Sequence, residues 1–529
     1  MFRLNNYNIF ALIMLCCTAC HADTITVTYN ENGQPVVSPA ECEGMKITIK
    51  NGTVKIKDWR TEPTELTFVL KGKSHEGSFK LNTEAKATIR LEGLELTSGS
   101  GAPLHLKNRK KMEVIAAKGT VNTLTVTACP DTATQKAAVI WAKDKLLLSG
   151  NGTLNLIAQG NGCKGINVKD DIIIEDLTLN IQTLGDNLGV DTTSNMGFGG
   201  PPPGFDPNNI PEEMKAHFEE MRKRFEEMMK DGNFPMMGGF GGGFGGPPAG
   251  GGFGGPPTGG GFMGKQKYLS TCKGIKAKGT LTINSGKVSV TTNSRGAEGI
   301  EGKEGVTING GEVYVHAIDD GINSGGQIIF NGGHTCVIST TNDAVDSNSG
   351  GFGFGMPPFM MGGEPQDSTT SKPQNHQNQD PAIIINGGEV LAWSQTGPPE
   401  EGLDCDFAPI QVTGGTIFSV GAGMGDMPSV PTTETAKQPT ALLIGLDIEK
   451  DKPISIYEAD KKGNPTGKPL ATYTVPFDFQ SSSSLITCPT FQLGKKYVVK
   501  TATKTYPIEL TEPFTVSRQG EAKERRFPF

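Results

Sequence analysis

EGIEGKEGVTINGGEVYVHAIDDGINSGGQIIFNGG, residues 298–333, holds two short elements and then repeats them. The first is an acid followed by Gly-Ile and a polar residue: Glu298-Gly299-Ile300-Glu301, then Asp320-Gly321-Ile322-Asn323. The second is an apolar residue before Asn-Gly-Gly, then alternating apolar positions: INGGEVYV at 308–315, then FNGGHTCVI at 330–338. Outside this window the second element recurs as INSGKVSV (283–290), INGGEVLAW (385–393) and VTGGTIFSV (412–420). The first recurs as KGINVK at 164, KGIKAK at 273 and DAVDSN at 343. Gly286 to Gly311 is 25 residues, Gly311 to Gly333 is 22, and Gly388 to Gly415 is 27.

Alternation with period two and an abundance of Val, Ile and Thr mark these segments as strands. A repeat in the low to mid twenties with glycine corners is the pattern of a solenoid in which each repeat is one turn. Leucine-rich repeats have a similar period, but their Leu/Asn framework is missing. The expected fold is all-β, a parallel β-helix of coils of about 22–27 residues. Val288, Val290, Val313 and Val315 would point into its core.

The chain has 529 residues, 71 of them Gly and 34 Pro, and a formal net charge of −7. That length exceeds one ordinary core, and the weak acidity argues against a nucleic-acid binder. Residues 1–22 read as an export signal: an early Arg3, then an apolar run from Ile9 to Cys17 that is too short to span a bilayer. Cleavage after Ala22 is the favoured processing, with lipidation of Cys20 as the competing one. The expected location is periplasmic, cell-surface or extracellular. Seven cysteines lie beyond this region, without a C-x-x-C or zinc-finger spacing. Cys163 and Cys272 share the context C-K-G-I and should occupy the same place in two coils.

Coils are expected over 23–194, 269–348 and 382–439. Two stretches interrupt them. Residues 195–268 are rich in Gly, Pro, Met and Phe and carry an amphipathic helix at 211–232, with Met214, Phe218, Met221, Phe225 and Met228 on one stripe. Residues 349–381 form a second insertion. From 440 to 529 the glycine period is lost, and a small β domain is expected to cap the last coil.

Aligning the Gly-Ile elements stacks side chains in columns about 4.8 Å apart. One column runs Lys273, Glu298, Asp320, Asp343, Glu401, and its neighbour runs Lys276, Glu301, Asn323, Asp346, Asp404, with Asp319 and Asp406 beside them. Like charges at that spacing repel by about 0.9 kcal/mol in water and about 3.5 kcal/mol at an effective dielectric of 20. A hard divalent cation removes the repulsion, and Ca²⁺ takes six to eight carboxylate, amide and backbone oxygens. Calcium is therefore the expected cofactor, although Asp and Asn are also common in solvated turns. After the Gly-Gly corner, Tyr314, His316, Trp393 and Phe418 fall at outward positions on the strands. They would either stack on sugar rings or lie beneath the helix at 211–232 or the C-terminal segment.

The strings at 88–125, GTLNLIAQGNGCKGINVKDDIIIEDLTLNI and INGGEVYVHAIDDGIN resemble a family of secreted bacterial carbohydrate-binding proteins. The resemblance spans about residues 45–500. It implies a pectate-lyase-like right-handed parallel β-helix, bound calcium, and attachment to cellulose- or pectin-like polysaccharide without cleavage. The lysines at 164, 273 and 276 depart from the acidic pattern. Two other functions stand beside this one. A calcium-dependent polysaccharide lyase would need a base, for which Arg295 is the candidate. A structural surface or adhesion protein would make use of the Gly/Phe-rich insertions.

Overall fold

The computed structural model describes residues 24–60, 65–129, 136–190, 268–350, 380–405, 408–423 and 428–518. The expected signal segment, the helix at 211–232, residues 351–379 of the second insertion, and Asp406 lie outside them. The chain divides into two compact units, one of 1–189, 268–354 and 369–529, the other of 190–267 and 355–368.

Among the described residues the structure is all-β apart from one 3-10 turn at Asn348–Gly350. Its sheets are mostly parallel, because the strands of each repeat pair with the equivalent strands of the next. Three ladders result. The long-strand ladder runs through Val121–Val126, Thr153–Ala158, Thr178–Thr183, Lys287–Thr292, Glu312–Ala317, His334–Ser339, Glu389–Ser394 and Thr416–Val420. A short-strand ladder passes from Leu146–Ser149 to Ile410–Val412. The third, the glycine ladder, is made of the Gly-Ile elements: Lys164–Val168, Ile275–Ala277, Ile300–Gly302, Ile322–Ser324, Val345–Ser347 and Leu403–Asp404.

The alternation seen in the sequence sets which side is core. Val288, Val290, Val313 and Val315 are all at most 1 % exposed. Each side chain of this size stabilises the fold by about 1.5–3 kcal/mol relative to exposure. The Gly-Ile glycines are required by the same packing. A Cβ on Gly274, Gly299 or Gly321 would sit 2.2, 2.3 or 2.1 Å from Cγ1 of Val290, Val315 or Val337. Ala344 takes the glycine's place in the next repeat, and there the register carries Val337 onto the smaller Ala392.

The corners have their own stack. Asn309 Nδ2 donates to Asn284 Oδ1, Asn331 to Asn309, and Asn386 to Asn331, each at 2.8 Å. Thr413 Oγ1 ends the row on Asn386 Oδ1 at 2.7 Å. The second glycine of each corner lies at positive φ, as at Gly311 (88°) and Gly333 (81°), which a side chain would strain. The N-G-G triplet is therefore one asparagine for the ladder and one glycine for the left-handed turn.

The strands that flank 191–267 pair directly, Leu179 with Val288 and Ile166 with Ile275. Deleting 197–264 is therefore expected to leave the β circular-dichroism signal of the ladders intact. Loss of that signal would make the insertion part of the folding core.

The C-terminal strands join the ladders. Phe479–Thr487 runs antiparallel to Thr416–Val420, through Phe418–Ile486, and to Thr440–Ile448. A four-stranded antiparallel sheet of Pro453–Ala459, Pro465–Thr474, Lys496–Lys500 and Thr505–Glu509 completes a second core.

Candidate cation site

The register of the glycine ladder sets the acids in columns. Pairing of Ile300 with Ile322, Ile322 with Val345, and Val345 with Leu403 aligns Glu301, Asn323, Asp346 and Asp404. The residues three places earlier follow, giving Glu298, Asp320, Asp343 and Glu401. These groups are sunk in the protein: Glu301 is 0 % exposed, Asp320 1 %, and Asp343, Asp346 and Glu401 are also buried.

At one end the charge is balanced by the protein itself. Lys273 Nζ lies 2.5 Å from Glu298 Oε1 and 2.9 Å from Glu301 Oε2, and Lys276 Nζ lies 2.7 Å from Glu301 Oε2. Lys303 holds Oε1 of Glu301. Burial alone would raise the Glu301 pKa, but Lys273, Lys276 and Lys303 together hold it well below the carboxylate range. Burial disfavours the Lys273 cation, yet Glu298 and Glu301 push its pKa up to about 12. Glu301, expected among the metal ligands, stands at the centre of an ion-pair cluster with these three lysines. Below it, Lys164 donates to Ser270 Oγ at 2.9 Å, and burial beside Lys276 and Lys273 lowers its pKa to about 8.

At the other end the partners seen are amides and hydroxyls. Asn323 Nδ2 donates to Asp320 Oδ2 and to Asp346 Oδ2, both at 2.8 Å, so it bridges two rungs. Asn348 Nδ2 also reaches Asp346, and Asn342 Nδ2 reaches Asp319, at 2.9 and 3.0 Å. Asp343 Oδ1 accepts the Glu401 N–H at 2.5 Å. Ser429 donates its N–H to Glu401 at 2.7 Å and its hydroxyl to Asp404 at 3.1 Å. Burial, then Asp404, Asp320 and Glu400, raise the Asp343 pKa well above its ordinary value. Burial and Asp404 do the same to Glu401. Among the described residues, Glu298, Asp319 and Asp320 each bring a carboxylate oxygen within 4.8 Å of the others. A partly buried, oxygen-only donor set of this kind suits a hard cation.

The outward aromatic positions separate into two groups. Tyr314 is 42 % exposed, and His316 is half-buried with Nε2 3.4 Å from Thr340 Oγ1. Trp393 and Phe418 are covered. Phe418 stacks on Tyr473 of the C-terminal sheet (5.0 Å, 7°), and Trp393 Nε1 donates to the Phe418 carbonyl at 3.2 Å. Both belong to the second core with Cys336, Ile338 and Leu391. The expectation of sugar contact at Trp393 and Phe418 is corrected accordingly: their rings meet protein. Arg295 is exposed in the turn before Glu298, and its carbonyl accepts the Asn187 side-chain amide.

Residues 43–197 and 262–351 match the model of a family described as "Carbohydrate-binding domain-containing protein". The matched segments contain the lysine cluster and the acids from Glu298 to Asp346. They stop short of Glu401, Asp404 and the C-terminal strands. No curated protein matches the sequence. One solved structure, described as "polysaccharide lyase-like protein from C. thermocellum, Gadolinium derivative", is similar at 12% identity and a TM-score of 0.31, over 77% of this chain and 96% of that one.

Two features went unread in the sequence. The asparagine row is visible only as the first residue of N-G-G, which does not by itself announce a ladder. Ser429, which joins Glu401 to Asp404, lies outside every repeat and gave no signal.

Proposed function

We propose that this is an exported, non-catalytic carbohydrate-binding protein, built as a right-handed parallel β-helix and stabilised by calcium. The observation that carries the reading is the buried acid column inside a segment that matches a carbohydrate-binding family model. Asp319, Asp320, Asp343, Asp346, Glu401 and Asp404 would hold the ions, with Glu298 shared between an ion and Lys273. Asn323 would contribute its amide oxygen after a half-turn of its side chain, an exchange of O for N that leaves its shape unchanged. Calcium would supply the positive charge that lets these carboxylates ionise together. The rungs of Lys164, Lys273 and Lys276 need no ion, since ammonium groups already stand there.

Polysaccharide would lie along the outward, partly exposed columns of the long-strand ladder. Asn155, Asn180, Ser289 and Tyr314 form one column, and Gln182, Thr291 and His316 continue the other. Short polar groups there can hydrogen-bond hydroxyls, while the Tyr314 ring offers an apolar face. Pull-down on insoluble and acidic polysaccharides, with absorbance at 235 nm followed for unsaturated product, tests the reading. Retention without product is expected. Product formation would establish a lyase, and no retention on any polysaccharide would reject the binding function. Tyr314→Ala is expected to weaken retention several-fold with an unchanged melting temperature, because a surface substitution of this kind costs little stability.

A further inference from the structure

The acid columns leave unused a group of three cysteines at another corner of the ladders. Cys163 and Cys272 each precede a Lys-Gly-Ile element, and the pairing of Ile166 with Ile275 sets them in consecutive rungs. Both are wholly buried, and Cys129 nearly so. Yet they have different partners. Cys272 Sγ donates to the Asp186 carbonyl at 3.1 Å. Cys163 has the side chain of Cys129 as its hydrogen-bond partner.

Backbone geometry creates that meeting. Gln159 N–H and Gly160 N–H both donate to the Val126 carbonyl, at 2.8 and 3.3 Å, and the Cys163 N–H closes a turn on the Gly160 carbonyl at 3.1 Å. Gly160 is the pivot. A Cβ there would lie 2.9 Å from Cys163 Sγ and 3.0 Å from the Cα of Ala128, the residue before Cys129. One bare glycine thus separates the Cys163 sulfur from the segment that carries Cys129. An open cleft of about 520 Å³, lined by Ala128, Cys129, Gly160 and Leu188, gives a reagent access to Cys129.

We propose that Cys129 and Cys163 form a disulfide. It fastens the corner after Val121–Val126 to the turn leading into Lys164–Val168, while Cys272 stays a thiol. A three-thiolate metal site is the competing use of the group, but the three sulfurs do not all lie within 4.8 Å of one another. The bond forms by exchange with a disulfide-bearing thiol donor reached through the cleft. The Cys129 thiolate attacks one donor sulfur and expels the first donor thiolate, which takes up a proton. Cys163 then attacks the mixed disulfide at Cys129 and expels the second, its proton passing to that leaving group. Two cysteine thiols are oxidised, and one donor disulfide is reduced to two thiols. Cys129 lines the cleft and is the residue a donor reaches first, whereas Cys163 is wholly buried, its thiol pushed far up by the hydrogen bond to Cys129 and by burial. The inference rests on this geometry alone and is independent of the carbohydrate and calcium readings.

The test is peptide mapping of the full chain after treatment with oxidised glutathione, with free thiols alkylated in denaturant before digestion. The expected result is a peptide pair joined through Cys129 and Cys163, two hydrogens lighter than the sum of its parts, with Cys272 alkylated. Reduction should then lower the melting temperature of the wild type by several degrees. Cys163→Ser should show no such reduction-dependent shift, and its Cys129 should be recovered as a thiol or as its glutathione adduct. Recovery of Cys129 and Cys163 both alkylated in the treated wild type would overturn the proposal. So would a Cys163–Cys272 bond. Because the mapping is made on the wild type, a variant that fails to fold cannot obscure the answer.

Discussion

Chelation is expected to lower the melting temperature of the calcium-loaded protein by several degrees, with Ca²⁺ restoring it and Mg²⁺ restoring little. A ligand bound only to the folded state stabilises it by about 2.7 kcal/mol when present at a hundred times its Kd. The described donors are carboxylates on successive rungs, spaced by the β ladder and not by an octahedron. Ca²⁺ tolerates such a set, whereas Mg²⁺ keeps its waters and demands near-ideal geometry. The effect should also depend on pH, in a direction fixed by Asp343 and Glu401. Both have folded pKa values raised above those of the unfolded chain, by burial first and by neighbouring acids second. Below the unfolded values, 3.8 and 4.5, both states carry the protons. As the pH climbs from there towards the raised folded values, the unfolded chain ionises first, so the metal-free protein loses stability across that window. Calcium competes with those same protons. The calcium-induced shift in melting temperature should therefore be small near pH 4 and grow towards neutrality. A melting curve indifferent to EDTA at neutral pH, in protein first stripped of metal, would end the calcium reading.

Much of this was legible in the sequence because a repeat converts spacing into geometry. Once Gly321 and Ala344 are read as equivalent, one strand spacing per repeat dictates that Asp320 lies beside Asp343 and Asn323 beside Asp346, and the pairings have that register. Inward valines follow from alternation alone. The sequence was less informative where a side chain's fate depends on what covers it. Tyr314, Cys336, Leu391 and Phe418 stand in one outward column, yet Tyr314 is exposed and Phe418 is not. The difference is made by Tyr473 and its neighbours, which lie outside every repeat. Glu301 shows a related limit. Its column position is that of a ligand, but Lys303 comes from the following turn and Lys276 from the rung below, and a column read one residue at a time does not sum those charges.

That contrast leads to the largest mutational effect expected, and to its opposite. Glu301→Gln keeps the volume but removes the charge that Lys273, Lys276 and Lys303 share. Breaking a buried ion pair on one side costs about 3–5 kcal/mol. Lys303 is half-exposed and can turn to water, so the low end, about 3 kcal/mol, applies here. The loss should appear equally with and without calcium, so the calcium-induced shift stays that of the wild type. Asp343→Asn should behave in reverse. In the metal-free protein burial and the neighbouring acids disfavour the charge on this carboxyl, and an amide oxygen can still accept the Glu401 N–H. Repulsion from Asp404 and Asp320 also falls, so metal-free stability should be unchanged or slightly higher. The calcium-induced shift should shrink, because a ligand has lost its charge. Four melting curves for each variant and the wild type, with EDTA and with Ca²⁺ at pH 5 and pH 7, separate the two roles. If Asp343→Asn kept the full calcium shift, Asp343 would not be a ligand and the cation would have to be sought among the other acids, first at Glu298, Asp319 and Asp320. If Glu301→Gln lost the shift while its metal-free form melted like the wild type, the lysines would not be Glu301's true partners, and an ion would stand where their ammonium groups now do.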